Sequence, residues 1–151
     1  MLNKEIMAKL TTALRSGEYK QTQGVLKDCD GGMCCLGVLS DIYAKETGKG
    51  KWDETSVVDN NSMTSCHAFV IPVSEQKKSS NTDFPASEVL DWAGFTRGEF
   101  GYAHRPSYPF ATELAGENDH GKTFPKIADM IDAKIAAEEK AKEERELTPT
   151  S

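Results

Sequence analysis

The chain has 151 residues, 28% of them charged, with a net charge of −6 and a mean hydropathy of −0.53. That composition fits one globular domain with a modest core, and no apolar run approaches the ~18 residues of a membrane span. Residues 1–51 carry 8 Lys/Arg against 6 Asp/Glu, while residues 52–151 carry 10 against 18, so the acidity is uneven and no basic stripe for general nucleic-acid binding is expected.

No apolar stretch follows the charges of the first residues, so no secretory signal is expected and the chain is read as cytoplasmic. In a reducing compartment Cys29, Cys34, Cys35 and Cys66 are expected as free thiols. The adjacent Cys34 and Cys35 cannot bridge each other without severe strain.

Residues 3–15 predict a helix, because Ile6, Met7, Leu10, Ala13 and Leu14 follow 3-and-4 spacing. Asn3 caps its start and Ser16-Gly17 ends it. Residues 18–30 are polar and suggest an ordered loop or a short edge strand, closing in a turn over Asp28-Cys29-Asp30-Gly31-Gly32. Residues 33–46 predict a second helix. It is apolar almost all round through Cys34, Cys35, Leu36, Val38, Leu39, Ile42 and Tyr43, so it should be central and buried. Gly37 would let another backbone approach it closely.

Trp52, Val57 and Val58 suggest one strand, and residues 66–73 a second, with a turn over Asp59 to Ser62. Residues 75–83 are polar and read as a mobile loop. Pro85 is expected to start a short helix that Gly94 closes. Residues 94–110 read as irregular chain packed by rings, Phe110 to Leu114 as one helical turn, and residues 117–121 as another turn. Thr123 is expected to cap a long last helix with Pro125 in its first turn. Its buried stripe of Phe124, Ile127, Ile131 and Ile135 stops there, and the Ala/Glu/Lys/Arg segment beyond should project into solvent and fray.

These elements imply an α+β fold: about three main helices around the buried central helix (33–46), with a small antiparallel sheet or hairpin. One globular domain is expected over residues 1–135, followed by a charged helical tail over residues 136–151.

Several constellations are candidates for chemistry. Cys34 and Cys35 fall near a helix N-terminus, where backbone N–H groups stabilise a thiolate. A cysteine nucleophile would take its base from His67, His104 or His120. The run from Cys35 to Leu39 resembles the nucleophile helix of NlpC/P60-type cysteine peptidases. No apolar strand follows a histidine and no third polar group is placed to orient one, so burial of both thiols is favoured. Cys29, Cys34, Cys35, Cys66 and His67 are zinc-ligand types in the wrong spacing, and Asp28-x-Asp30-x-Gly32 departs from a calcium loop; no metal or cofactor is expected. Arg15, Lys20 and Lys27 flank the Gly31-Gly32 turn, an arrangement able to hold an anion at a helix start, although an ordinary solvated turn is favoured. Asp119 and His120 are an acid–base pair by type, but Asn118-Asp119-His120-Gly121 is foremost good turn chemistry.

Taken in order, Ala13-Leu14-Arg15-Ser16-Gly17-Glu18-Tyr19-Lys20-Gln21, the run Cys34-Cys35-Leu36-Gly37-Val38-Leu39-Ser40-Asp41, Val89-x-x-Trp92-Ala93-Gly94, Asn118-Asp119-x-Gly121 and Phe124-x-x-Ile127-Ala128-Asp129-x-Ile131 resemble a family of small accessory proteins of tailed phages and prophages. The resemblance implies a phage-encoded protein acting in the host bacterial cytoplasm, and it implies no reaction. Binding is therefore expected, with a host protein or a small anionic, nucleotide-like ligand as the partner. The candidate ligand-binding residues are Arg15, Tyr19, Lys20, Gln21, Cys34, Asn118 and Asp119. A cysteine hydrolase and a minor virion component are the alternatives.

Overall fold

A computed structural model of the chain describes residues 2–59, 62–72, 78–82, 84–98 and 107–147. Helix α1 (Lys4–Ser16) starts at Asn3, whose side chain accepts from the Ile6 amide at 3.2 Å, and stops at Gly17 in the left-handed region. It buries Ile6, Met7, Leu10 and Leu14, as their spacing requires.

From composition the central helix begins at Met33; α2 in fact spans Cys35–Thr47, with Cys34 as its cap. Met33 cannot join because both of its backbone groups are committed to the preceding loop. Its amide donates to Lys20 O at 2.7 Å and its carbonyl accepts from Thr22 N at 2.9 Å. The helix is buried from Cys35 to Ser40 and at Ile42 and Tyr43, so it is central as expected. A Cβ on Gly37 would collide with the Leu26 carbonyl. The same carbonyl accepts from the Cys34 amide at 3.2 Å, so the polar loop lies directly on the first turn of α2.

Strands β2 (Lys51–Asp59) and β3 (Ser62–Pro72) form an antiparallel hairpin, with register running from Lys51 opposite Val70 to Asp59 opposite Ser62. The centre of the expected turn, residues 60–61, lies outside the described residues. The other edge of β3 is completed by two separate segments. β1 (Lys27–Asp28) pairs with His67 and Cys66, and β4 (Lys78–Asn81) pairs with Pro72 through Phe69. Leu26 N donates to Thr82 O at 2.7 Å where the two segments meet. The sheet is thus three rows wide, with its third row assembled end to end. The expected mobile loop over residues 75–83 is corrected at Lys78–Asn81: an edge strand satisfies its backbone by pairing and tolerates polar side chains.

Helix α3 (Ser87–Trp92) begins two residues after Pro85, because the Ala86 carbonyl accepts from Val89 and Leu90. Helix α4 (Pro109–Asp119) is longer than the single turn expected and absorbs residues read as a turn. Its buried face is Ala111, Leu114 and Asn118, a helical stripe whose third member is polar. The irregular chain expected between Gly94 and Phe110 includes a bridge from Gly98 to Ser107; residues 99–106 lie outside the described set.

Helix α5 (Phe124–Leu147) buries Phe124, Ile127, Ala128 and Ile131, with Ile135 half-buried. It packs along α1. The helix continues through the charged segment, where the Leu2 amide donates to Glu138 at 3.0 Å and Lys4 pairs with Glu139. Tyr43 meets the edges of Trp92 and Phe69 at 5.2 and 6.2 Å and joins α2, α3 and the sheet into one core. The fold is α+β. No described helix is long and apolar enough to cross a membrane.

Gly37→Ala should destabilise the protein by about 3 kcal/mol, the upper range for overpacking, since the obstacle is backbone. Urea unfolding measures this, and a loss below ~0.5 kcal/mol, typical of surface changes, would contradict the close approach.

Candidate functional site

Three of the candidate residues, Gln21, Asn118 and Asp119, meet at the C-terminal end of α4. Asn118 is fully buried there. Its Oδ1 accepts from Gln21 Nε2 at 3.0 Å and from the Cys35 amide at 3.2 Å, and its Nδ2 donates to Thr22 O at 2.8 Å. Gln21 Nε2 also donates to Lys122 O at 2.7 Å, while Gln21 Oε1 accepts from Phe124 N at 3.2 Å. Asp119 accepts from the Gly24 amide at 2.9 Å. The loop after α1 is stitched in this way to the start of α2, the end of α4 and the start of α5. Gln21, rather than Thr123, meets the first amide of α5. Among the described residues, no buried side-chain nitrogen or oxygen lacks a partner. Gln21, Asn118 and Asp119 are therefore brought together, and their polar atoms are engaged in holding the fold.

The two thiols lie beside this node. Cys34 Sγ accepts from the Gly37 amide at 3.3 Å, in the position of a helix cap. Desolvation nonetheless pushes the Cys34 thiol up to about 11, against the stabilising amides of Gly37 and Leu36. Burial, with Cys34 alongside, pushes Cys35 well above the usual thiol range, and its S–H donates to Leu114 O at 3.6 Å. Both thiols are buried, the reading that the sequence favours over an activated thiolate at the helix start: dehydration outweighs the helix end. Neither thiol bonds to a histidine among the described residues. His67 Nδ1 lies 2.9 Å from Asp28 O, and His120 is the exposed C-cap of α4. His104 lies outside the described residues. No three metal-ligating side chains converge among the described residues.

The cations expected around the Gly31-Gly32 turn are dispersed. Arg15 reaches Asp129 at 2.8 Å and Asp132 at 2.7 Å and so clamps α1 to α5. Lys27 sits 5.3 Å above the Trp52 ring. Lys20 stays close enough to help hold the Asp28 carboxyl down. The turn also carries its own anion. Asp28 Oδ1 accepts from the amides of Asp30 at 3.0 Å and Gly32 at 2.7 Å. Burial acts to raise the Asp28 pKa, but the Thr22 hydroxyl and these amides outweigh it and keep the carboxyl below its ordinary value. N–H groups that a phosphate would require are thus already occupied by a side chain.

Tyr19 belongs to a second polar cluster that composition did not reveal. Its hydroxyl donates to Asp41 at 2.8 Å, Lys45 reaches the same carboxylate at 2.9 Å, and Trp52 Nε1 donates to the other oxygen at 3.3 Å. These bonds hold Asp41 low against the opposing effect of its burial, and the Asp41 partner raises Lys45 to about 12. The i, i+4 spacing of Asp41 and Lys45 was the available signal.

Among the described residues, two concave surface features bear on binding. One is a half-open cavity of about 250 Å³ between Leu2, Phe95, Phe110 and Lys134. The other is an open groove of about 790 Å³ along α1, from Glu5 to Tyr19. Neither is lined by Gln21, Cys34 or Asn118.

Fold and site together define a small α+β domain whose conspicuous polar residues brace a buried central helix. Residues 2–135 match the family described as Domain of unknown function (DUF8296), and the chain belongs to that family. No curated protein and no solved structure matches the chain.

Asn118→Ala should cost about 2–4 kcal/mol, because it strands the buried Cys35 amide and the Gln21 side chain together. Chemical denaturation reads this directly, and near-wild-type stability would show that the node is dispensable. Native iodoacetamide labelling near neutral pH should modify the exposed Cys29 and spare Cys34, Cys35 and Cys66, which are buried and protonated well below their raised pKa values. Rapid alkylation of Cys34 or Cys35, mapped by peptide mass spectrometry, would contradict the burial argument.

Proposed function

We propose that the protein acts by binding, as a phage-encoded accessory protein that modulates a host factor or a host defence in the bacterial cytoplasm. The observation carrying the binding half of this reading is the engagement of the candidate catalytic side chains. Cys34 and Cys35 are buried and protonated, and Asp119, an acid–base candidate by type, accepts from the Gly24 amide. Catalysis needs a nucleophile and a base within reach of each other, and neither thiol has one among the described residues. The phage half rests on the sequence resemblance, above all on the run from Cys34 to Asp41.

The test is affinity capture from the bacterial host with the full chain as bait, paired with a thermal-shift screen of cyclic nucleotides. One host protein retained in stoichiometric amount, or a saturable rise in melting temperature, is the expected result. The absence of both capture and shift would sink the reading. Turnover of a host substrate that Cys34→Ala or Cys35→Ala abolishes would replace it with a cysteine hydrolase. Recovery of the chain in purified particles would replace it with a virion component.

A further inference from the structure

The half-open cavity near the N-terminus has chemistry of its own. Its apolar wall is Leu2, Phe95 and Phe110; Leu2 and Phe95 are buried, and the Phe95 and Phe110 rings stack with centroids 6.1 Å apart. Three charged side chains reach its lining, and their charges are not equally available. Arg97 is paired with Asp91, which also accepts from Tyr108 at 2.8 Å. Glu138 accepts from the Leu2 amide at 3.0 Å and keeps its negative charge, so an incoming anion must seat on the Phe110 side of the cavity, beside Lys134. Lys134 sits 5.4 Å above the Phe110 ring and has no carboxylate partner among the described residues.

We infer that this cavity binds a small carboxylate with an aromatic body, the ring lying against Phe95 and Phe110 and the carboxylate pairing with Lys134. Size sets the class. A cavity of about 250 Å³ has room for roughly eight waters at ~30 Å³ each, and it falls below the ~300 Å³ at which drug-sized pockets begin. The walls are aromatic, so offset or edge contacts with a ring are available along with apolar burial. A single available ammonium suits a singly charged acid; a phosphate dianion would call for the forked guanidinium that Arg97 has already given to Asp91. Lys134 also projects from the middle of α5, so the charged partner stands on a rigid element.

This inference rests on the reading of the chain as a binding protein, but it fails separately. A chain that captures a host protein and ignores carboxylates keeps that reading and loses this one. The experiment is a titration of the full, isotope-labelled chain with 3-phenylpropionate, followed by two-dimensional amide NMR. Saturable shifts should appear at Phe95, Arg97, Phe110 and Lys134. Lys134→Met, which keeps an unbranched apolar stem at an exposed position and removes the charge, should weaken binding by about tenfold, as loss of a charge-assisted contact does. The neutral 3-phenylpropanol should bind both proteins weakly and alike. The variant's own spectrum reports whether it is folded. No saturable shift by about 10 mM, where even a ligand of this size should register, overturns the proposal. So do shifts confined to other residues, or an affinity that Lys134→Met leaves unchanged.

Discussion

One carboxamide holds the architecture together. Asn118 presents an acceptor to the first amide of the central helix and a donor to the loop that follows α1. Gln21 extends the same network to the start of α5. A buried amide left without partners costs more than a made hydrogen bond returns, so the three segments are coupled: each is in place only when the others are. The apolar core around Leu36, Leu39, Leu114 and Ile127 supplies cohesion, and the amide network selects which arrangement of helices uses it.

Magnitudes explain why a cysteine at a helix start is inert here. A helix N-terminus favours a nearby negative charge by up to ~2 kcal/mol in partly buried geometry. The upward displacement of the Cys34 thiol from 9.0 to about 11 corresponds to roughly 3 kcal/mol against the thiolate. Those amides, with the Gly37 N–H on Cys34 Sγ, lessen the penalty without reversing it. Cys34 works as a helix cap, a role usually filled by Ser, Thr, Asp or Asn. At this site a sulfur caps the helix while adding apolar surface to the core.

Much of the fold was legible in the sequence because it follows from side-chain periodicity. The stripe in α1, the all-round apolarity of α2, the need for Gly37 and the buried face of α5 each reflect a local rule, and each rule held. What failed was tertiary. Met33 reads as helical until its backbone is seen pairing with Lys20 and Thr22. Lys78–Asn81 reads as loop because nothing in Lys-Ser-Ser-Asn announces a strand; the free edge of β3 makes it one. The far end of α4 reads as a turn because Asn118 and Asp119 are turn formers, and burial beside Gln21 overrides that preference. At the candidate site, the sequence offered Gln21, Asn118 and Asp119 among seven ligand-binding candidates without the contacts that join these three. Arg15 was misplaced because its partners, Asp129 and Asp132, lie more than a hundred residues away.

The assembled third row of the sheet bears on how the chain reaches its native state. Neither Lys27–Asp28 nor Lys78–Asn81 is long enough to persist as an isolated strand. The β2–β3 hairpin is local and has little loop entropy to overcome, whereas its free edge needs two segments separated by the whole of α2 and the hairpin itself. Pairings between distant segments carry the largest loop-closure cost and form slowly. The Leu26 amide, bonded to Thr82 across the junction, should acquire protection from solvent exchange last. Until it does, the exposed rim of β3 is the surface on which two folding chains would exchange strands.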